Sequence, residues 1–475
     1  MNIEILAEQN PWWRDPSALS ADRYLRALGE ARHAFIHPVE EELGLECHGI
    51  QVLRGPRQIG KTTLLKKTVR SLLERGVLPR NVLFLAVDVA GIGKDRELMR
   101  ALRIFCDWRR AGGSTSRLFL LLDEVTYCEQ WATGIKSASD LGLLDNALVI
   151  ATGSQAVELK RGGERLPGRR GELESKSDLV MLPLSFGEVV RGLQPEIEIP
   201  RSCPADVGAI YSHAQELAIH GAALEQLLNL YRVAGGFPFA LNRFEQNGVL
   251  DPEVHARCMS AVLGDLARIG RREPVFRELM HVVFSKEFEP VDWQNLAQSC
   301  SIGSHNTVHE YIDDACGMFL LVVLWQVRSL GDSILSFRKR RKIYPLDPLF
   351  HHVLRTWSRG DYDPADSTTR YVTEPRTAGK VIESLIATHM ARRFSKVAFW
   401  RNNSEIDVIG FTTDQQPLYV EVKYQAKITS SDKKSLKKIG GGLLVTRQDL
   451  SYDDHNQIAM IPAHLALPIL ANGNR

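Results

Sequence analysis

The sequence predicts an α/β chain of several domains: a parallel-sheet core, a helical stretch, a helix-turn-helix with a wing, and a smaller C-terminal α/β domain. Three observations predict it. Residues 55–62 read GPRQIGKT, matching G-x-x-x-x-G-K-[ST], and lie between a short apolar run and a helix-like stretch. Five apolar runs between residues 50 and 182 are continuous rather than alternating, as strands buried on both faces are, and helix-like stretches separate them. From about residue 405 the pattern changes to polar–apolar alternation, the mark of half-buried strands.

Composition bounds the reading. A chain of 475 residues, 44% hydrophobic and 24% charged, fits a globular protein with ordinary cores and several domains. Its net charge of +2 announces no global field for nucleic acid, so any basic surface must be local. The seven cysteines are scattered and form no C-x-x-C, which points to a reducing compartment and against a zinc site. The opening MNIEILAEQNPWWRD lacks a basic-then-apolar signal pattern, and no apolar run approaches the ~18 residues a membrane helix needs. A cytoplasmic protein without a membrane partner is expected.

Residues 1–48 read as a helical segment, with Asn10-Pro11-Trp12-Trp13 as an aromatic packing anchor. The core, 49–190, carries the runs Ile50–Leu53, Val82–Val87, Leu118–Leu122, Leu148–Ala151 and Leu179–Leu182. In the loop, Gly55 and Gly60 let the backbone turn its N–H groups onto phosphate oxygens. Pro56, Arg57, Gln58, Ile59 and Thr63 complete the cradle, and the following helix adds its positive end. Lys61 is expected to reach the outer phosphates of ATP and Thr62 to hold Mg²⁺.

The third run ends in Asp123-Glu124. Asp123 would orient Mg²⁺, and Glu124 would take a proton from the attacking water. The fourth run ends in Thr152-Gly153-Ser154, where Thr152 or Ser154 would bond the γ-phosphate or the water, unless the segment is a plain turn. The Gly-rich basic run 160–171 is either a solvated loop or, in a homo-oligomer, the source of Arg169 or Arg170 for a neighbour's nucleotide.

Residues 191–270 read as a helical lid over the nucleotide, with Arg232 and Arg243 as undistinguished phosphate candidates. Residues 271–350 give a short helix at 291–298, a turn at Ser301-Ile302-Gly303, and a second helix capped by Ser304. Phe319–Leu324 and Ile334–Phe337 read as a wing, followed by five cations, Arg338–Lys342. This winged helix would either contact DNA phosphates or serve only as a packing module. Residues 351–370 read as a linker.

In the last domain, 371–475, a helix opens near Lys380 and carries Glu383. If the hairpin between the two alternating strands centres on Asp414, Asp407 falls opposite Glu421, and Glu405 opposite Lys423. Two carboxylates that close repel unless a divalent cation or a lysine offsets them. A metal on Asp407 and Glu421, with Glu383 as a third acid, is one outcome; a structural hairpin is the other.

Taken together, Asn10–Trp13, GPRQIGKTTLL at 55–65, LLLDEV at 120–125, ATGS at 151–154, LPGRRG at 166–171, LPLSFGE at 182–188, GGFP at 235–238, and EID and EVK at 405–407 and 421–423 mark a resemblance. The chain resembles prokaryotic AAA-type ATP-binding proteins that join a P-loop ATPase to a winged helix and a C-terminal restriction-endonuclease-like domain. The resemblance implies an α/β multidomain fold, and the chain is expected to be either a Mg²⁺-dependent ATPase that controls DNA binding or processing or a nucleotide-gated DNA- or protein-binding switch with little turnover. It also implies a nuclease-like site of Glu383, Asp407, Glu421 and Lys423, in which Lys423 would position or activate the attacking water. Domains of that kind either cleave or only recognise.

Overall fold

Continuous apolar runs become strands, and the chain divides into two compact units, Met1–Leu182 and Pro183–Arg475. The computed structural model describes residues 2–471 except 114–115, 154–158, 160–161, 165, 167–171, 174–176 and 403.

In the first unit, β1 (Gly49–Arg54), β2 (Val82–Ala86), β3 (Leu118–Asp123), β4 (Ala147–Thr152) and β5 (Asp178–Val180) form a parallel sheet in the order β2-β3-β4-β1-β5. The predicted runs and the strands agree closely. Helices Lys61–Glu74, Asp95–Ala111 and Trp131–Asp140 connect them. Leu83, Leu85, Leu120, Leu122, Val149 and Phe105 are among the residues that fill the core. Because β4 lies between β1 and β3, the ends of all three meet at one edge, where the phosphate loop emerges.

The strand β2 is an edge, and its free backbone groups would invite pairing with another chain. The N-terminal segment covers it with side-chain amides. Asn10 donates to the Phe84 carbonyl at 2.8 Å and accepts from the Phe84 N–H at 2.7 Å. Gln9 does the same for Ala86, at 3.3 and 2.7 Å. Both Trp12 and Trp13 donate their indole N–H to the Val82 carbonyl. The Asn-Pro-Trp-Trp knot therefore supplies hydrogen bonds as well as packing; Trp13 also stacks on Trp108 at 4.5 Å.

The second unit differs from expectation in three places. Helices Val207–Leu217, Gly221–Ala234, Pro238–Asn247 and Pro252–Arg268, read as a lid, build this unit's own core together with Phe186–Leu193, whose first five residues were expected in the ATPase core; they pack among themselves and against helices Pro348–Arg359 and Ala463–Leu470. Arg232, a phosphate candidate, is buried there against Asn229, and Arg243 pairs with Glu253. The supposed linker 351–370 lies largely within two helices, Pro348–Arg359 and Pro364–Thr373, capped by Asp347 and Asp363.

The third difference concerns the wing. Helices Trp293–Ser299 and His305–Gly317 stand where expected, with Asp292 and Ser304 as N-caps. The hairpin after them is β6 (Leu321–Gln326) and β7 (Arg341–Pro345), so the second strand is not 334–337. This hairpin is continuous with the C-terminal sheet. With β8 (Lys396–Arg401), β9 (Glu405–Phe411), β10 (Pro417–Lys423), β11 (Gly442–Thr446), β12 (Ser451–Asp453) and β13 (Ile458–Pro462), it forms one mixed sheet in the order β12-β13-β11-β10-β9-β8-β6-β7. Trp325 on β6 pairs with Ala398 on β8. The 19-residue helix Pro375–Arg393 packs on the middle of the sheet, against β7, β8, β9 and β10.

Two of the conspicuous motifs are joins within this unit. Ser185 and Glu188 of LPLSFGE form a reciprocal capping box at the helix Phe186–Leu193. The GGFP segment clasps the same stretch: Leu184 N–H donates to the Gly236 carbonyl at 2.8 Å, and Gly236 N–H donates to buried Asp347 at 2.9 Å.

Candidate functional site

The phosphate loop leaves β1 through two glycines whose backbones other residues would resist. Gly55 has φ 157°, and a Cβ there would sit 2.2 Å from the Met181 carbonyl oxygen. Gly60, at φ 110°, stands just before the helix Lys61–Glu74. Between them Arg57 and Gln58 are half-buried and Ile59 is buried. The Lys61 ammonium curls over the loop and donates to the carbonyls of Gly55 and Pro56, both at 2.9 Å. Leu64, Leu65, Val69 and Leu72 anchor the helix in the core, which fixes the loop's exit.

Asp123 is the meeting point. It ends β3, is only 3% exposed, and receives the Thr62 hydroxyl at 2.7 Å on one oxygen and the Thr152 hydroxyl at 2.5 Å on the other. Loop helix, acid strand and β4 are thus tied through one carboxylate. Burial raises the Asp123 pKa, and the hydroxyls of Thr152 and Thr62 only partly oppose it. Thr152, expected to face a phosphate or water, gives its hydrogen to Asp123 instead. Glu124 follows in the left-handed region at φ 51° and is half-buried. Ser154, Arg169 and Arg170 lie outside the described residues.

The donor set fits a nucleotide with its magnesium ion. Thr62 and Asp123 present oxygens, the ligands that Mg²⁺ prefers, beside the glycine-containing loop. Residues 48–190 match the family described as an AAA domain. With its parallel sheet and phosphate loop, this stretch is similar to an AAA-type P-loop ATPase domain. Residues 378–466 match a second family, described as a domain of unknown function, DUF4143.

A 109-residue stretch is 32% identical to an uncharacterized protein of Methanocaldococcus jannaschii, covering 23% of this chain. The chain spans only 22% of that curated relative's length. Among solved structures, a Walker-type ATPase of Pyrococcus abyssi aligns over 67% of this chain and 96% of its own, with 14% identity and a TM-score of 0.41. The AMPPCP-bound DnaA from Aquifex aeolicus aligns over 61% of this chain and 86% of its own, with 16% identity and a TM-score of 0.23.

The C-terminal acids are brought together as the hairpin register predicts: Tyr419 pairs with Ile409 and Val420 with Val408. One step further along, the Asp407 carboxylate takes the Val422 N–H at 3.0 Å. Lys423 pairs with Glu421 at 3.1 Å rather than with Glu405.

The sequence reading missed the residue at the centre. Lys342, from β7, is 2% exposed, and its ammonium lies 2.8 Å from Glu383, 2.9 Å from Glu405 and 3.2 Å from Asp407. Tyr344, two residues on and on the same strand face, donates to Glu383 at 2.8 Å, and Lys380 reaches its other oxygen at 3.2 Å. The cue was available: period-two alternation puts Lys342 and Tyr344 on one face of Arg341–Pro345. The expected metal on Glu383, Asp407 and Glu421 meets an ammonium where it would bind. Among the described residues, no group of three or more His, Cys, Asp or Glu is arranged to hold a metal ion.

Burial and the Asp407 charge push Glu421 up to about 8 despite Lys423. Burial also works to raise Asp407, but Lys342, Lys423 and the Val422 N–H outweigh it and leave this acid below its usual range.

The wing cations divide. Arg341 is buried between Trp293 and Trp325, at 4.2 and 4.7 Å from their rings, and Lys342 is internal. Only Arg338, Lys339 and Arg340 are exposed. With Arg401, Trp293 and Asn402 they line an open cleft of about 660 Å³. The outer face of His305–Gly317 is unsuited to phosphate, since Glu310 and Asp314 are held by Arg271 and Asp313 by His309.

Proposed function

We propose that the chain is a Mg²⁺-dependent ATPase whose nucleotide state governs engagement of DNA by its second unit. The observation that supports this most is Asp123, clasped between Thr62 of the phosphate loop and Thr152 of the neighbouring strand. Lys61 would leave its loop carbonyls for the outer phosphates, trading two neutral acceptors for charged ones. Thr62 and Asp123 would hold the ion, which neutralises charge on the phosphates when bound. Glu124 would accept the proton of the attacking water. Its left-handed backbone is the kind of strain that persists where surrounding structure enforces it.

DNA is the proposed partner because the exposed cations Arg338, Lys339 and Arg340 border, with half-buried Arg401, one cleft with an aromatic wall, Trp293. The contact we propose lies in the loop before β7, not on the second helix. For the C-terminal acids, recognition is favoured over cleavage, because Lys342 already pairs with Glu383, Glu405 and Asp407, and Lys423 with Glu421. The test is steady-state phosphate release with and without duplex DNA. Lys61→Ala should abolish nucleotide binding, and Glu124→Gln should bind ATP without turning it over. Wild-type turnover in the Gln chain would remove Glu124 from the reaction.

A further inference from the structure

We propose that Lys342 is the resident cation of the C-terminal acid cluster, so that this domain works without a divalent metal. Every carboxylate a metal would need is already engaged by protein donors. One Glu383 oxygen accepts from Lys342 and Tyr344, and the other from Lys380. One Asp407 oxygen accepts from Lys342 and the other from the Val422 N–H. Glu405 is shared between Lys342 at 2.9 Å and Arg401 at 3.6 Å. Glu421 is bonded to Lys423 and to Asp407.

Charge agrees with geometry. Four cations, Lys342, Lys380, Lys423 and Arg401, already surround the carboxyl groups of Glu383, Glu405, Asp407 and Glu421. A divalent ion entering this space would have to displace a buried ammonium and leave both cations close together, which a low-dielectric interior makes costly. The ammonium also comes from outside the matched C-terminal family: Lys342 lies on β7, ahead of residues 378–466. The strand that looked like a DNA-binding wing therefore supplies the internal cation of the neighbouring acid site. This inference is independent of the ATP site.

The test counts bound Mn²⁺ by electron paramagnetic resonance on the full chain, without nucleotide. Wild type and Asp407→Ala should bind the same number of ions, because Asp407 holds no metal when Lys342 is in place. Lys342→Met should gain one Mn²⁺ per chain, and Lys342→Met with Asp407→Ala should lose it again. One more ion on wild type than on Asp407→Ala would overturn the proposal. So would a folded Lys342→Met chain that gains none, since Lys342 would then not be what excludes the metal. If Lys342→Met does not fold, the wild-type and Asp407→Ala comparison decides alone, with equal counts supporting the proposal.

Discussion

Replacing Thr152 by Val removes one hydroxyl hydrogen and little volume, at a residue with no exposed surface. That hydrogen bonds Asp123 at 2.5 Å, inside a site where the carboxylate itself is 3% exposed, so water cannot take over. A hydrogen bond to a charged group contributes ~1.5–3 kcal/mol. If the full amount is lost in the transition state, turnover falls roughly 10- to 150-fold, at about 1.4 kcal/mol per tenfold. A second readout separates this from a packing defect. Burial already raises the Asp123 pKa and Thr152 is the first group opposing it, so its loss must raise it further. The acid limb of the pH–rate profile should therefore move to higher pH, and Thr152→Ser should restore both rate and profile. The assay is single-turnover phosphate release across pH, with ATP binding measured alongside. A Val variant with wild-type turnover and an unmoved acid limb would refute the role of Thr152 in holding Asp123.

Two other outcomes follow from the second unit. Neutralising Arg338, Lys339 and Arg340 together should lower the salt dependence of DNA binding by ~0.9 units of slope per lost phosphate contact; an unchanged slope would show that the cleft never meets phosphate. Glu421, raised to about 8 in the fold, stays protonated where an unfolded glutamic acid has ionised. Stability should thus be fully present below the unfolded value and fall as pH rises toward 8, whereas Glu421→Gln should lose less over that range; parallel urea-denaturation curves for the two chains would contradict it.

How much was legible depended on how local each determinant is. The first unit reads directly because its strands are buried on both faces, so β3 is simply Leu-Phe-Leu-Leu-Leu-Asp, with the functional acid at its end. The phosphate loop is contiguous. The edge cover by Gln9 and Asn10 was not legible, since a side-chain amide that mimics a strand has no pattern of its own. In the second unit the hairpin register followed from one turn, and it held. The wing failed because β6 pairs with β8, some seventy residues away, and nothing in either strand announces the other. The linker failed because Arg359-Gly360-Asp361 looks like a break; it is only the corner between two capped helices.

The two acid sites show why a motif cannot by itself say whether metal is needed. Asp123 and Asp407 are both buried strand acids close to a lysine. Around Asp123 the direct donors are neutral hydroxyls, burial wins, and the carboxylate is held above its usual range. Such a site gains most from an incoming cation, which a nucleotide-bound magnesium ion would supply. Around Asp407 an ammonium lies at hydrogen-bond distance, a backbone N–H completes the second oxygen, and the carboxylate is held below its usual range. That site has already been neutralised by its own chain, and a further cation would meet repulsion. The acids of the EID and EVK motifs suit either state equally well. What decides is Lys342, supplied from a strand 65 residues ahead of Asp407 in the chain.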